Sequence, residues 1–329
     1  MLKKVFYYPS KNLTVAIPIV LVLGFLTGLR VDMRFMKDYI LLLTFLMIYP
    51  TMIGFKLKEA VDLSHMKPVA YSLVLNFIVI PLIAFVIGTL TLKSDPELFV
   101  GLVMISLFPT SGMTISWTMI SKGNVAAAIK ITAISLILGS FLAPWYLLLM
   151  VGQLVSVDVV ATFITIIQVV ILPLILGNIT YKLFMRKMTP ETFNKKVKPV
   201  FPAASIWSML AIVFISVSMK STSIVANPGI LVKITLFLLG FYMLNFFIST
   251  VVSKKALGSF DGYALVYGTV MRNLSIALGI AAASFGPNTA LVVTIAFILQ
   301  VQGAAWYGKL SSKYGWLMRE KILKTESPS

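Results

Sequence analysis

Ten apolar runs, each about twenty residues long, leave this chain one solvent to fold in. They read as helices at 13–29, 38–55, 68–91, 97–121, 125–151, 157–184, 200–219, 229–252, 261–284 and 288–308. A helix closes its backbone hydrogen bonds within itself, so a run of this length can cross a bilayer. None alternates with the period of two that a membrane β-barrel needs. Composition agrees: 59% of the 329 residues are hydrophobic and 12% charged, too few polar groups to cover a soluble globule. The chain reads as an all-α polytopic membrane protein, one transmembrane unit over 1–329 surrounded by a lipid bilayer. Lys3 and Lys4 before the first run look like a signal peptide, but no small-residue cleavage site follows, so that run reads as an uncleaved helix.

Net charge is +17, which in a soluble protein would suggest a nucleic-acid partner. Here the basic residues fall in loops beside lipid headgroups, and no nucleic-acid partner is expected. Ten spans put both termini on one face. That face collects 20 Lys and Arg against 6 on the other, with Lys130 and Arg272 inside spans. The positive-inside rule then places both termini in the cytoplasm of a cell (inner) membrane, with Tyr7, Tyr8, Trp306, Tyr307, Tyr314 and Trp316 as an aromatic belt. Cysteine is absent and His65 is the single histidine, which excludes disulfides, thiolate chemistry and a histidine metal site. All eleven carboxylates fall in loops or at span ends, and no nucleotide-binding loop appears. An enzyme, a metal site and a resident cofactor are therefore not expected. Energy would come from a gradient, with sodium or proton coupling left open.

The longest connection, 182–199, divides the chain into five spans and five spans, 1–155 and 156–329. Two homologous halves of odd span number must enter the membrane from opposite sides, so the expectation is a pair of inverted five-helix repeats. Span four breaks at Phe108-Pro109-Thr110-Ser111-Gly112 and span nine at Met271-Arg272-Asn273-Leu274-Ser275, which are corresponding positions. Proline and glycine disfavour an unbroken helix, and paired broken spans point to a transport site near the midplane.

Arg272, about a dozen residues into span nine, is the sharpest residue. A charge at that depth needs a cavity or a partner. It reads as an anchor for an anionic substrate group, or else as an arginine tied to broken-helix carbonyls that holds the crossing together. On the first reading, Arg272→Ala abolishes anion binding and leaves the fold intact. Lys130, six residues into span five, either snorkels to the surface or places a fixed charge in the core. Thr110, Ser111, Gly112 and Thr114 beside the first break, with Ser116 and Thr118, and Asn273 and Ser275 at the second, are candidate substrate contacts. A restarting helix presents unpaired N–H groups to anions. The alternative is that the hydroxyls bond their own backbone. Gly279, Ala281, Ala282, Ala283 and Ser284 read as a close-packing surface.

Through Pro109-Thr110-Ser111-Gly112 to Trp117, Lys122-Gly123-Asn124, and Met271-Arg272-Asn273-Leu274-Ser275-Ile276-Ala277-Leu278, the chain resembles the superfamily joining bile acid:sodium symporters with arsenite permeases. The resemblance implies discontinuous crossing helices in spans four and nine. It also implies a core domain of spans 3–5 and 8–10, a panel domain of spans 1, 2, 6 and 7, and alternating access. It places Thr114 and Thr132 at two hydroxyl sodium ligands. Ile115 and Ala128 stand where the family has polar ligands, Gly268 where it has a glutamate, and Arg272 where it has a glutamine. Lys130 and Arg272 then stand in for the sodium charge. The arsenite permeases carry a cysteine in the span-four break and a glutamate in span nine, and both are absent here.

The leading expectation is a secondary transporter for a small organic anion without the usual two-sodium coupling. Alternatives are arsenite or antimonite efflux without cysteine, an ordinary sodium-coupled organic anion symporter, and a non-transporting sensor. The sequence leaves the oligomeric state open.

Overall fold

The computed structural model describes residues 2–55, 65–155 and 158–317. The basic residues Lys56, Lys58, Arg319, Lys321 and Lys324 and the acids Glu59, Asp62, Glu320 and Glu326 lie outside them. Among the described residues the protein is helical, with no strand. Among these residues eight helices are long and apolar enough to cross a membrane, and counting each of two bent pairs as one span gives ten.

Span one, Leu13–Gly28, follows a short helix, Leu2–Lys11, and the two meet at 99°. Spans two and three are Arg34–Met52 and Met66–Thr91. Span four comes in two pieces, Pro96–Leu107 and Gly112–Ile120, bent by 61°. Spans five to eight are Val125–Val151, Val160–Met185, Pro190–Ser218 and Gly229–Ala256. Ser259–Phe285 is span nine and Pro287–Tyr314 span ten. In span nine the regular helix lapses between Val270 and Leu274. The short helix before span one lies ahead of the first apolar run, where the sequence suggested no helix.

Proline sets much of the local shape. Spans three and six each widen into a π-turn, Leu75–Val79 and Ile167–Ile171, just before Pro81 and Pro173. A proline donates no N–H and crowds the carbonyl four residues back, so a wider turn absorbs it. The carbonyl of Phe77 freed by Pro81 accepts from the Tyr146 hydroxyl of span five.

The spans pack in two groups. Span seven lies against spans one and two, and span six against span two. Separately, span nine packs on spans three, five, eight and ten, and span four on three, five and ten. On the side of the termini one amide ties three spans of the second group together. Asn124 Nδ2 donates to Asp261 Oδ1 of span nine (2.8 Å) and bonds His65 Nδ1 at the start of span three (3.0 Å). Its Oδ1 meanwhile caps span five at the Ala127 N–H (3.0 Å).

Candidate functional site

The two breaks meet. The Asn273 N–H donates to the Phe108 carbonyl at 2.7 Å, joining the gap in span nine to the gap in span four. Pro109 cannot donate to the Ile105 carbonyl, and Thr110, at φ +60, has left the helix, so the first half of span four ends with orphaned carbonyls.

Arg272 takes them. Its Nε donates to Ile105 O (3.1 Å) and its Nη2 to Ser106 O, while Nη1 donates to Thr269 O (3.0 Å) and to Asn76 Oδ1 of span three (2.6 Å). The residue is 0% exposed. One guanidinium therefore caps the C-terminal ends of both first half-helices, where the helix dipole is negative and a cation is favoured. Gln300 of span ten clamps its backbone, accepting from Arg272 N (2.8 Å) and donating to Arg272 O (3.1 Å), and Tyr242 of span eight donates to Gln300 Oε1 (3.1 Å). Asn76 is fixed in turn by donating to Ser72 Oγ and Gly268 O, both at 2.9 Å. Of the two readings open for Arg272, this geometry is the clasp. Its guanidinium faces carbonyls, and none of its hydrogen-bond partners is a carboxylate.

The remaining candidates divide by exposure. Thr110, Thr114 and Thr132 are buried. Thr114 Oγ1 donates to Tyr267 O (3.2 Å) and Thr132 Oγ1 to Ala128 O (2.8 Å), whereas the Thr110 and Thr118 hydroxyls have no hydrogen-bond partner. Ser111, Asn273 and Ser275 are half-buried and Gly112 is exposed. Ser111 and Asn273 are the N-caps of the second half-helices, accepting from Met113 N and Ile276 N, each at 3.3 Å. The amides of Gly112 and Ser275 take no part in these caps. The open part of the crossing is thus Ser111, Gly112, Asn273 and Ser275, two helix N-termini with Arg272 behind them. Lys130 is 1% exposed, so its charge sits in the core and does not snorkel.

The second half of span four runs toward the termini and packs on spans five and nine, leaving Met119 61% and Ile120 66% exposed. The second half of span nine runs the other way and packs on spans two, six and ten. There a Cβ at Gly279 would lie 2.1 Å from Thr44 Cγ2, a backbone approach that only glycine allows. Among the described residues no group of three or more His, Cys, Asp or Glu could hold a metal.

Residues 40–227 match the Sodium Bile acid symporter family. The chain belongs to that family. Among its relatives, Bacillus subtilis YbaS is 26% identical over 77% of this chain and 81% of its own length. The Bacillus subtilis sodium-dependent transporter YocS is 24% identical, over 79% and 76%. The arsenical-resistance protein Acr3 of Corynebacterium glutamicum is 25% identical, over 71% and 66%. The family consists of transporters and not enzymes, so this member is a membrane-embedded transporter of a small molecule. Asn76 and Gln300 went unnoticed in the sequence; their signal was an amide within an apolar run, Asn76 by itself and Gln300 with Gln302 two positions on, which a membrane tolerates only with a partner.

Proposed function

We propose that this transporter carries a small organic anion by alternating access, without the two-sodium coupling of the usual family member. The observation that carries the reading is the buried Arg272 guanidinium in an all-oxygen shell between the two breaks. Half-helix C-terminal carbonyls are what transporters commonly offer to a coupling cation, and here a tethered cation has them. The neighbouring ground is apolar. Ala127, Ala128 and Ala264 pack together with Ile115. A Cβ at Gly268 would lie 2.9 Å from Ile131 Cγ2, so the place of the family's glutamate is filled. The hydroxyls of Thr114 and Thr132 are bonded to backbone.

The anion binds at Ser111, Gly112, Asn273 and Ser275, drawn by two N-terminal dipoles and by the fixed charges of Arg272 and Lys130. Arg272 acts on it through the field, without contact. Spans 1, 2, 6 and 7 form the panel and spans 3–5 and 8–10 the core. The halves are inverted repeats, and both termini are cytoplasmic. Loss of thiol and acid from the breaks disfavours arsenite.

The test is ligand-dependent thermal stabilisation of the purified protein with small carboxylates, sulfonates, a bile acid and arsenite, each in sodium and in potassium. A ligand at 100 times its Kd adds about 2.7 kcal/mol. A carboxylate shift equal in both salts is expected; a shift seen only in sodium overturns the uncoupled reading, and one with arsenite alone overturns the anion.

A further inference from the structure

The basic residues on the side of the termini are not spread evenly. The segments 1–12 and 182–199 carry nine Lys and Arg against one acid, Glu191, which is paired with Lys195 (2.8 Å, both exposed). Both segments belong to the group formed by spans one, two, six and seven.

Leu2–Lys11 turns 99° from the axis of span one, so it runs across the membrane normal. It packs on spans one and seven, and Trp207 Nε1 of span seven donates to its Phe6 carbonyl at 3.0 Å. Lys4 is exposed, and Val5 and Tyr8 are 56% and 51% exposed. By helical spacing Lys4 and Val5 stand 100° apart, a charged edge beside an apolar one, as in helices that lie in the headgroup layer.

The span six–seven turn is packed around an aromatic centre. Phe193 is buried at its centre, with the rings of Tyr181, Phe184 and Phe201 at 5.1, 5.6 and 6.0 Å. Around this aromatic plug Lys182, Arg186, Lys187, Lys196 and Lys198 are exposed. This packing holds the backbone of the turn, so less loop entropy is lost when an anion binds its cations.

We propose that this in-plane helix and the Phe193-centred basic turn form a docking surface for anionic phospholipid headgroups, which moors the group of spans one, two, six and seven in its leaflet. The match is one of charge and depth: a phosphate-bearing headgroup beside lysines, and acyl chains beside Val5 and Tyr8. Each basic residue near an anionic membrane surface contributes about a five-fold factor in affinity.

The experiment uses the full chain in nanodiscs of phosphatidylcholine, alone and with a minority of phosphatidylglycerol, reading the melting temperature and, by native mass spectrometry, the retained lipid. Phosphatidylglycerol is expected to raise the melting temperature and to co-purify in excess of its bulk fraction. Lys4→Gln/Arg186→Gln/Lys187→Gln/Lys198→Gln is expected to lose most of both effects while matching the wild type in phosphatidylcholine. Lys254→Gln/Lys309→Gln, on the other group of spans, should keep them. An equal shift in the quadruple variant overturns the proposal. So does an equal loss in the Lys254/Lys309 variant, which would mark a diffuse attraction of the whole face. Should the quadruple variant fail to fold, high salt on the wild type decides, since screening must remove the phosphatidylglycerol shift; a shift that survives also overturns it.

Discussion

Replacing Arg272 by alanine removes four donors from a dry crossing at once. Ile105 O, Ser106 O, Thr269 O and Asn76 Oδ1 then lose the group that holds them, and the ends of two half-helices face one another uncapped. Hydrogen bonds to a charged group are worth about 1.5–3 kcal/mol each, but they share one guanidinium and do not add. The better guide is the loss of one partner from a buried ionic network, about 3–5 kcal/mol. The same deletion opens a shell of four oxygens from three spans, the kind that holds an alkali cation in other transporters. Arg272→Ala is therefore expected to be destabilised by about 3–5 kcal/mol in potassium chloride and partly restored in sodium chloride of equal ionic strength. Arg272→Lys, which keeps the charge and loses the planar fork, should fall between. The assay is reversible unfolding in mixed micelles, with the wild type as the salt-insensitive reference. Wild-type stability in the alanine variant would refute the clasp. A variant equally unstable in both salts would refute the cation-site half of the reasoning. This reverses the sequence-based expectation that the fold would survive Arg272→Ala, because the sequence could not show which oxygens surround the guanidinium.

Three further outcomes follow from the geometry. Gly268→Glu must displace Ile131, at a cost of about 1–3 kcal/mol; sodium-dependent stabilisation is expected only when Ile131→Ala is added, and its appearance in the single variant would contradict the packing. Gly279→Val should pry span nine from Thr44 of span two; since the chain has no cysteine, a Ser275→Cys reporter would then label from the face opposite the termini, and unchanged labelling would show that this contact does not close the crossing. The hydrogen bond from Lys233 holds the Asp95 carboxyl below its ordinary pKa. Its contribution is present above about pH 4 and is lost as pH falls through the lowered value. With both groups more than a third exposed it amounts to about 0.5 kcal/mol, so the stability gap to Asp95→Asn should be small at pH 7 and vanish in acid.

Run length made the spans legible, and Pro109 with the polar pentad around Arg272 made both breaks legible. These signals are local, and the backbone must answer them wherever the chain packs. Leu2–Lys11 escaped because ten residues cannot announce themselves as a membrane-length run. The environment of Arg272 escaped for a different reason. Asn76 is 196 positions away and Gln300 28 positions away, and each is an amide whose partner is decided by tertiary packing. Lys130 shows the same limit: its depth in span five could be read, but its direction could not.

A tethered cation differs from a diffusible one in what it can do across a transport cycle. A ligand couples to transport when it binds the states unequally and is exchanged with a compartment. Arg272 is bound through its own Cα, so on the proposed reading it lends a constant field to the anion site and carries no gradient energy into it. The anion then moves down its own electrochemical gradient, or with a proton. The clasp also constrains the motion. Arg272 and Gln300 join spans three, four, nine and ten through short hydrogen bonds within one group of spans, so the crossing is held as a unit. What is left to give way is the boundary between the groups, where Gly279 meets Thr44 without a hydrogen bond between them. Access should therefore switch by movement of the whole crossing against spans one, two, six and seven, with the two half-helix N-termini travelling together around the bound anion.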